Sequence, residues 1–305
     1  MRPKIAIILG ATAVGKSEVA LRLAESVNGE IVNADSQQVY RYMDKGTGKP
    51  SKADRERVRH HLIDIIALNE EFNAALFRRL ATESIREIHT RGRNVIVCGG
   101  TGLYLKALTR GLFEGPGQDP EVRQALEQEI ADNGVASLYQ RLERIDPTVG
   151  STIHPNDRQR IIRALEVYRL TGRPLSVWQK EHGFQENPFD ILKIGLLRER
   201  TELYNLINLR CERMIEEGLL EEVRGLVARG FNLELKPLRS VGYRQMGQVL
   251  RGTQSMNDAV EEMKQETRHL AKRQLTWFRR DDEIRWFHPE KQSKEIASAV
   301  DRFLS

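Results

Sequence analysis

The 305-residue chain reads as an α/β protein: a parallel sheet with helices on both faces and an inserted helical domain. Three observations predict this. In the first third of the chain, short apolar runs alternate with helical stretches. One strand-to-helix junction carries glycines and a lysine at the spacing of a phosphate-binding loop. Between about Gly111 and Phe189, strand signals vanish and charged helical sequence takes over.

Lys4-Ile5-Ala6-Ile7-Ile8-Leu9 shows no polar alternation, as a strand buried on both faces of a parallel sheet requires. Ser17 to Val27 follows as a helix and Glu30-Ile31-Val32-Asn33-Ala34 as a second strand, closing a βαβ unit. A helix from Ala74 to Arg91, with Leu76, Leu80, Ile85 and Ile88 on its apolar face, leads to a strand at Asn94-Val95-Ile96-Val97. Strands separated by helices pair in parallel, since each crossover returns the chain to the same end of the sheet. Gly115-Pro116-Gly117 and Asp119-Pro120 then break the chain, and residues 116–189 are read as the helical insertion. Ile191-Leu192-Lys193-Ile194-Gly195-Leu196-Leu197 returns to the sheet, followed by amphipathic helices from Glu202 to Arg229 and from Met256 to Arg279. The core domain is therefore discontinuous, 1–115 and 190–305.

With 40% hydrophobic and 30% charged residues, the chain has the composition of a folded protein. Lys and Arg exceed Asp and Glu by 48 to 43, which permits a polyanionic partner without requiring one. Cys98 and Cys211 lie far apart with no metal-ligand spacing, so neither a disulfide framework nor a structural zinc site is expected. His60 and His61 lack a third ligand and are read as structural. No segment approaches the ~20 apolar residues that cross a bilayer, and Ile5 to Leu9 is too short for a signal-peptide core. The expected setting is the cytoplasm, with a monomer and no obligate protein partner.

Gly10-Ala11-Thr12-Ala13-Val14-Gly15-Lys16-Ser17 fits G-x-x-x-x-G-K-[ST] between a predicted strand and helix, which makes the fold class P-loop NTPase-like. Gly10 and Gly15 let successive N–H groups point inward, and the helix N-terminus adds partial positive charge. Lys16 is expected on the terminal phosphates and the Ser17 hydroxyl on a Mg²⁺ ion bridging them. The Val95-Ile96-Val97 strand ends in Cys98-Gly99-Gly100-Thr101 without an acid. Asp35 instead follows the second strand, facing the same crevice; it reads as a base, a metal ligand or a helix cap, and Thr101 as a crevice hydroxyl or a cap.

These segments, together with Asp35-Ser36-Gln37-Gln38-Val39-Tyr40, Gly46-Thr47-Gly48-Lys49-Pro50, His60-His61-Leu62-Ile63-Asp64 and Gly99-Gly100-Thr101-Gly102-Leu103-Tyr104, resemble the tRNA dimethylallyltransferase (isopentenyl transferase) family. The similarity continues through Gln159-Arg160-Ile161-Ile162-Arg163-Ala164-Leu165-Glu166, Val241-Gly242-Tyr243-Arg244-Gln245 and Arg273-Gln274-Leu275-Thr276-Trp277-Phe278-Arg279, so it spans nearly the whole chain. Small departures stand at Ala11, Val14 and Ser17, where the family usually carries Pro, a small or hydroxyl residue, and often Thr.

The resemblance implies transfer of a dimethylallyl group from dimethylallyl pyrophosphate to N6 of the adenosine 3'-adjacent to the anticodon, in tRNAs reading codons that begin with U. Asp35 is then the base, with Thr101 and Arg210 also catalytic. Residues Gly10 through Ser17 hold pyrophosphate. Asp35, Ser36, Gln37, Gln38, Thr101, Arg123, Gln159, Arg160, Ile161, Ile162, Arg163, Arg239, Ser240, Val241, Gly242, Tyr243 and Arg244 meet tRNA. Arg158, Gln159, Arg160 and Arg163 form a basic helix face opposite a buried stripe of Ile161, Ala164, Leu165 and Tyr168. Trp277, Phe278, Trp286 and Phe287 are read as core packing rather than base stacking. A small-molecule or nucleoside kinase shares the loop and is the alternative reading, with a non-catalytic RNA-binding protein as a third.

Overall fold

The computed structural model describes residues 2–113, 115–186 and 188–305. The chain opens with β1 (Lys4–Gly10), α1 (Lys16–Ser26), β2 (Gly29–Asn33), α2 (Lys52–Arg57), a two-residue β3 (His60–His61), α3 (Ala74–Thr90), β4 (Asn94–Gly99) and α4 (Gly102–Arg110). Five helices follow: α5 (Pro120–Asn133), α6 (Val135–Ile145), α7 (Pro147–Gly150), α8 (Arg158–Thr171) and α9 (Leu175–His182). The remainder comprises β5 (Asp190–Leu196), α10 (Arg200–Glu216), α11 (Leu219–Ala228), a 3-10 turn at Lys236–Arg239, α12 (Tyr243–Leu250), α13 (Met256–Phe278), β6 (Ile284–Phe287) and α14 (Ser293–Leu304).

The six strands form one parallel sheet in the order β3-β2-β4-β1-β5-β6. β1 is central, and from Ile5 onward its residues are buried, which explains the unbroken apolar run. Register decides where the site forms. Leu9 of β1 stands opposite Gly99 of β4, and Asn33 of β2 opposite Cys98. The carboxyl ends of β2, β4 and β1 are therefore level, and the loops after them leave from one edge of the sheet, where open α/β sheets bind ligands. Gly99 is required at this edge: a Cβ there would fall 2.2 Å from the Ala34 carbonyl oxygen.

The chain divides into two units, 1–109 with 187–305, and 110–186. The first carries the sheet core; the second buries its own cluster, including Leu126, Leu142, Ile161 and Leu165. The division falls a few residues earlier at each end than composition suggested. Phe113 packs with the helical core, whereas Phe189 packs with the sheet core.

The span 202–229 is two helices rather than one, separated at Gly218, whose φ is +90°. β6 is too short for a period to show in sequence, whereas α12 and α14 are amphipathic helices, with Tyr243 and Met246 and with Ile296 and Val300 on their buried faces, that add to the elements read from sequence. On α3 the fully buried face is Phe77, Ala81, Ile85 and Ile88, with Leu76 and Leu80 at its margin. His61 Nε2 lies 2.6 Å from the buried Glu30 carboxylate, which Arg91 also meets at 2.7 Å, so the histidine pair is structural.

Candidate active site

After β1 the chain curls through Gly10 (φ +149°), Ala13 (φ +63°) and Gly15 (φ +105°) before α1 begins. No side chain caps α1, so the first-turn amides and the helix dipole are left for an anion. Lys16 folds back and donates to the Ala11 carbonyl at 2.7 Å. Lys16 is partly buried, and desolvation lowers its pKa to about 8, against the opposing pull of Cys98 and Asp35. The same burial pushes the Cys98 thiol up to about 11.

Two residues that sequence reading does not single out hold this loop. Arg198 Nε donates to the Val14 carbonyl at 3.1 Å, with its guanidinium anchored by Glu202 and Glu290. Gln274 Oε1 accepts from the Thr12 N–H at 2.8 Å.

Asp35 follows β2, two strand positions from β1. One carboxylate oxygen accepts from the Gln37 and Gln38 N–H groups at 2.8 and 3.3 Å, which fixes the turn as a cap does. Its charge is felt at Lys16, Arg210 and Tyr104. Thr101, after the intervening β4, accepts the Ser36 N–H at 3.1 Å through Oγ1. That leaves the hydroxyl proton free to donate. The Gln37 side-chain carbonyl is buried with no partner, a deficit that a ligand N–H can fill.

Arg210, on α10, donates to the Thr47 carbonyl at 3.1 Å. Burial lowers its pKa, and Asp35 acts against that. Gln38 Nε2 holds the same segment through the Thr47 and Gly48 carbonyls at 3.2 and 3.1 Å. Lys16, Ser17, Lys45, Arg210 and Arg213 share a cleft of about 400 Å³ with Glu18 and Glu217, and its remaining wall includes Leu206, Leu209 and Met214. Four cations against two acids suit a diphosphate; the apolar wall suits a short hydrocarbon attached to it.

The residues expected on RNA are unequally available. Arg158, Gln159 and Arg160 are exposed, with Arg158 at 3.1 Å from Glu127 and Arg160 at 3.4 Å from Asp157. Arg163 does not stand on a free face: it pairs with the fully buried Glu166 at 2.7 Å and donates to the Pro116 and Gly117 carbonyls. Arg123 grips the same carboxylate at 2.7 and 3.0 Å. Ile161 and Ile162 are buried, leaving only their backbone for any contact. Tyr168, expected in the buried stripe, is 37% exposed; Val167 takes its place in the core.

In the other unit, Arg239 pairs with Glu234 and Arg244 with Glu262. Ser240 Oγ donates to the Pro237 carbonyl, Val241 is partly buried and Gly242 buried. Tyr243 is wholly buried and donates its hydroxyl to Glu222 at 2.5 Å. Its ring rests where a Cβ on Gly46 would stand, so it supports the loop bearing Thr47 and Gly48. Of the aromatic C-terminal residues, Phe278 is buried and Trp286 and Phe287 pack against the sheet core, whereas Trp277 is 38% exposed and lies over Gly102.

A phosphate loop on the central strand, with an acid and a hydroxyl on the next strand ends, defines a P-loop α/β enzyme. The IPP transferase family model matches residues 38–281. A tRNA dimethylallyltransferase 2 from Geotalea uraniireducens is 50% identical over 99% of this chain and 97% of its own. A tRNA dimethylallyltransferase from Geobacter metallireducens is 49% identical over 98% and 97%. The crystal structure of full-length tRNA isopentenylpyrophosphate transferase from Bacillus halodurans superposes with a TM-score of 0.74 at 39% identity, covering 99% of this chain and 97% of that one. Crystallographic snapshots of a eukaryotic dimethylallyltransferase acting on tRNA give a TM-score of 0.79 at 28% identity, covering 98% and 77%. The chain belongs to the IPP transferase family.

Proposed function

We propose that this enzyme transfers a dimethylallyl group from dimethylallyl pyrophosphate to N6 of the adenosine 3'-adjacent to the anticodon of tRNA, releasing pyrophosphate. The observation that carries the reading is the cleft beside the phosphate loop, cationic around Lys16 and Arg210 and apolar along Leu206, Leu209 and Met214. That apolar wall fits the hydrocarbon of an allylic donor, and β4 ends without the acid that orders an attacking water in many P-loop hydrolases. The names of the relatives support the same reading.

The adenine amine is a weak nucleophile until its proton is removed, because its lone pair is delocalised into the ring. As the N6–C1 bond forms and the C1–O bond breaks, the electron pair of the broken bond leaves with pyrophosphate and the N6 proton passes to Asp35. Developing charge on the departing oxygens meets donors already in place: Lys16, Arg210, the loop amides and the Thr101 hydroxyl. Gln37 Oε1 accepts from the adenine edge once the base is extruded from the anticodon loop. Ser17, exposed at the start of α1, is the side chain that would hold Mg²⁺; no group of three His, Cys, Asp or Glu side chains able to hold a metal occurs among the described residues. A Mg²⁺ ion held there would supply positive charge against the leaving pyrophosphate. The exposed Arg158, Gln159 and Arg160 contribute to RNA binding. No helix among the described residues is long and apolar enough to cross a membrane, in keeping with an enzyme that meets tRNA in the cytoplasm.

The test is to incubate the protein with Mg²⁺, an unmodified anticodon stem-loop and either dimethylallyl pyrophosphate or ATP. Pyrophosphate release confined to the allylic donor supports the transferase; ADP formation from ATP supports the kinase and overturns it.

A further inference from the structure

One side chain on α13 ties together the loops of two neighbouring strands. The Gln274 carboxamide accepts from the Thr12 N–H at 2.8 Å through Oε1 and donates to the Gly100 carbonyl at 2.9 Å through Nε2. With a donor on one side and an acceptor on the other, only one orientation of the amide satisfies both. Gly100 precedes Thr101, whose hydroxyl accepts the Ser36 N–H beside Asp35. Hydrogen bonds on either side of the Gly100–Thr101 peptide therefore link the phosphate loop, through Gln274, to the segment holding Asp35. One turn further along α13, Trp277 lies where a Cβ on Gly102 would fall, 2.4 Å from its ring.

Gly100 carries an independent mark of the same contact. A Cβ there would lie 2.5 Å from Gln274 Nε2, while the next neighbours, the Gly10 carbonyl oxygen and Gln274 Cδ, stand at 3.3 and 3.4 Å. What excludes a side chain at residue 100 is thus chiefly the Gln274 amide.

We infer that Gln274 is a positioning residue, which sets the separation between the phosphate loop and Thr101 and so aligns the leaving-group donors with the base. The inference rests on the transferase reading above. Because the Thr12 N–H is given to Gln274, the cradle for phosphate is left to the later loop amides and Lys16. Losing the clamp should consequently disturb the transition state more than donor binding.

The experiment is a double-mutant cycle of Gln274→Ala and Gly100→Ala, reading kcat, KM for dimethylallyl pyrophosphate and Tm, with Gln274→Glu as a third variant. Gln274→Ala should lower kcat by roughly 10- to 100-fold, the range that a misplacement of about 1 Å produces, with little change in KM or Tm. Gly100→Ala should do the same, since its methyl displaces the flexible amide end rather than backbone. The double variant should lie close to Gln274→Ala alone, because the methyl then meets only the Gly10 carbonyl oxygen, at 3.3 Å. Gln274→Glu keeps an acceptor for Thr12 but opposes the Gly100 carbonyl, so it should not restore kcat. Multiplying losses in the double variant, full activity in Gln274→Glu, or kcat losses that merely follow Tm would each overturn the clamp. Failure of the wild-type protein to release pyrophosphate from the allylic donor would count against the transferase reading instead.

Discussion

Replacing Gly48 with alanine puts a methyl group into space held by Arg210. The added Cβ falls 2.4 Å from Nη2 and 3.1 Å from Cζ of that side chain, and the backbone at Gly48 has φ +60°. The two consequences differ in size. An L-residue in the left-handed region costs about 1–2 kcal/mol of stability, a Tm loss of a few degrees for a protein of this size. The clash is with the free end of a long side chain, so the guanidinium moves and the fold survives. What is lost is its bond to the Thr47 carbonyl and its placement beside Lys16. Removing one preorganised donor from a developing oxyanion typically costs about 10²–10³ in kcat, which at 25 °C outweighs the stability term. Steady-state pyrophosphate release at saturating donor and RNA, read beside thermal unfolding, separates the two. If Gly48→Ala lowers Tm but keeps kcat within about twofold of wild type, Arg210 does not act from this position and the reasoning fails.

Asp35→Ala should lower the single-turnover rate by about 10²–10⁴ while leaving tRNA affinity nearly intact; normal turnover in that variant would remove Asp35 as the base. Lys16 should impose an alkaline limb on donor binding. With its pKa lowered to about 8, the ligand-free protein loses the ammonium as pH rises through that value, and donor affinity should fall about tenfold per unit well above it. A Lys16→Met profile that keeps the same limb would assign it elsewhere. The stability linkage has the opposite direction. The folded state holds fewer protons at this lysine than the unfolded chain between about 8 and the ordinary lysine value of 10.5, so this group's contribution to stability rises across that window. Comparing Tm against pH for wild type and Lys16→Met checks the sign. Arg160, 61% exposed at its side chain, should on substitution by alanine weaken tRNA binding and reduce the salt slope by about one; an unchanged slope would make that face merely solvated.

The phosphate loop, Asp35 and Thr101 were legible in sequence because each depends on a local pattern at the end of an apolar strand. The parallel register then brings three such ends level, which needs no long-range information beyond the alternation of strand and helix. Arg210 came only from the family resemblance, since nothing in the residues around it marks one arginine among several on a charged helix. The loop-holding roles of Gln274 and Arg198 leave no local signal: their partners lie 262 and 184 residues away, and a hydrogen bond to a backbone amide or carbonyl leaves no trace in spacing. The basic face of α8 was over-read for the opposite reason. Counting arginines does not reveal that the buried Glu166 binds both Arg123 and Arg163, or that Tyr168 escapes the core at the last turn of its helix. β3 and β6 are too short to show a period.

Digesting tRNA to nucleosides after incubation with the enzyme, Mg²⁺ and dimethylallyl pyrophosphate, and locating any mass increment by mass spectrometry, shows whether and where the enzyme prenylates RNA. A dimethylallyltransferase should leave one dimethylallyl increment, on the adenosine immediately 3' of the anticodon, in amounts equal to the pyrophosphate released. Pyrophosphate released without alkylated RNA, or an increment on another base, would contradict the proposed function.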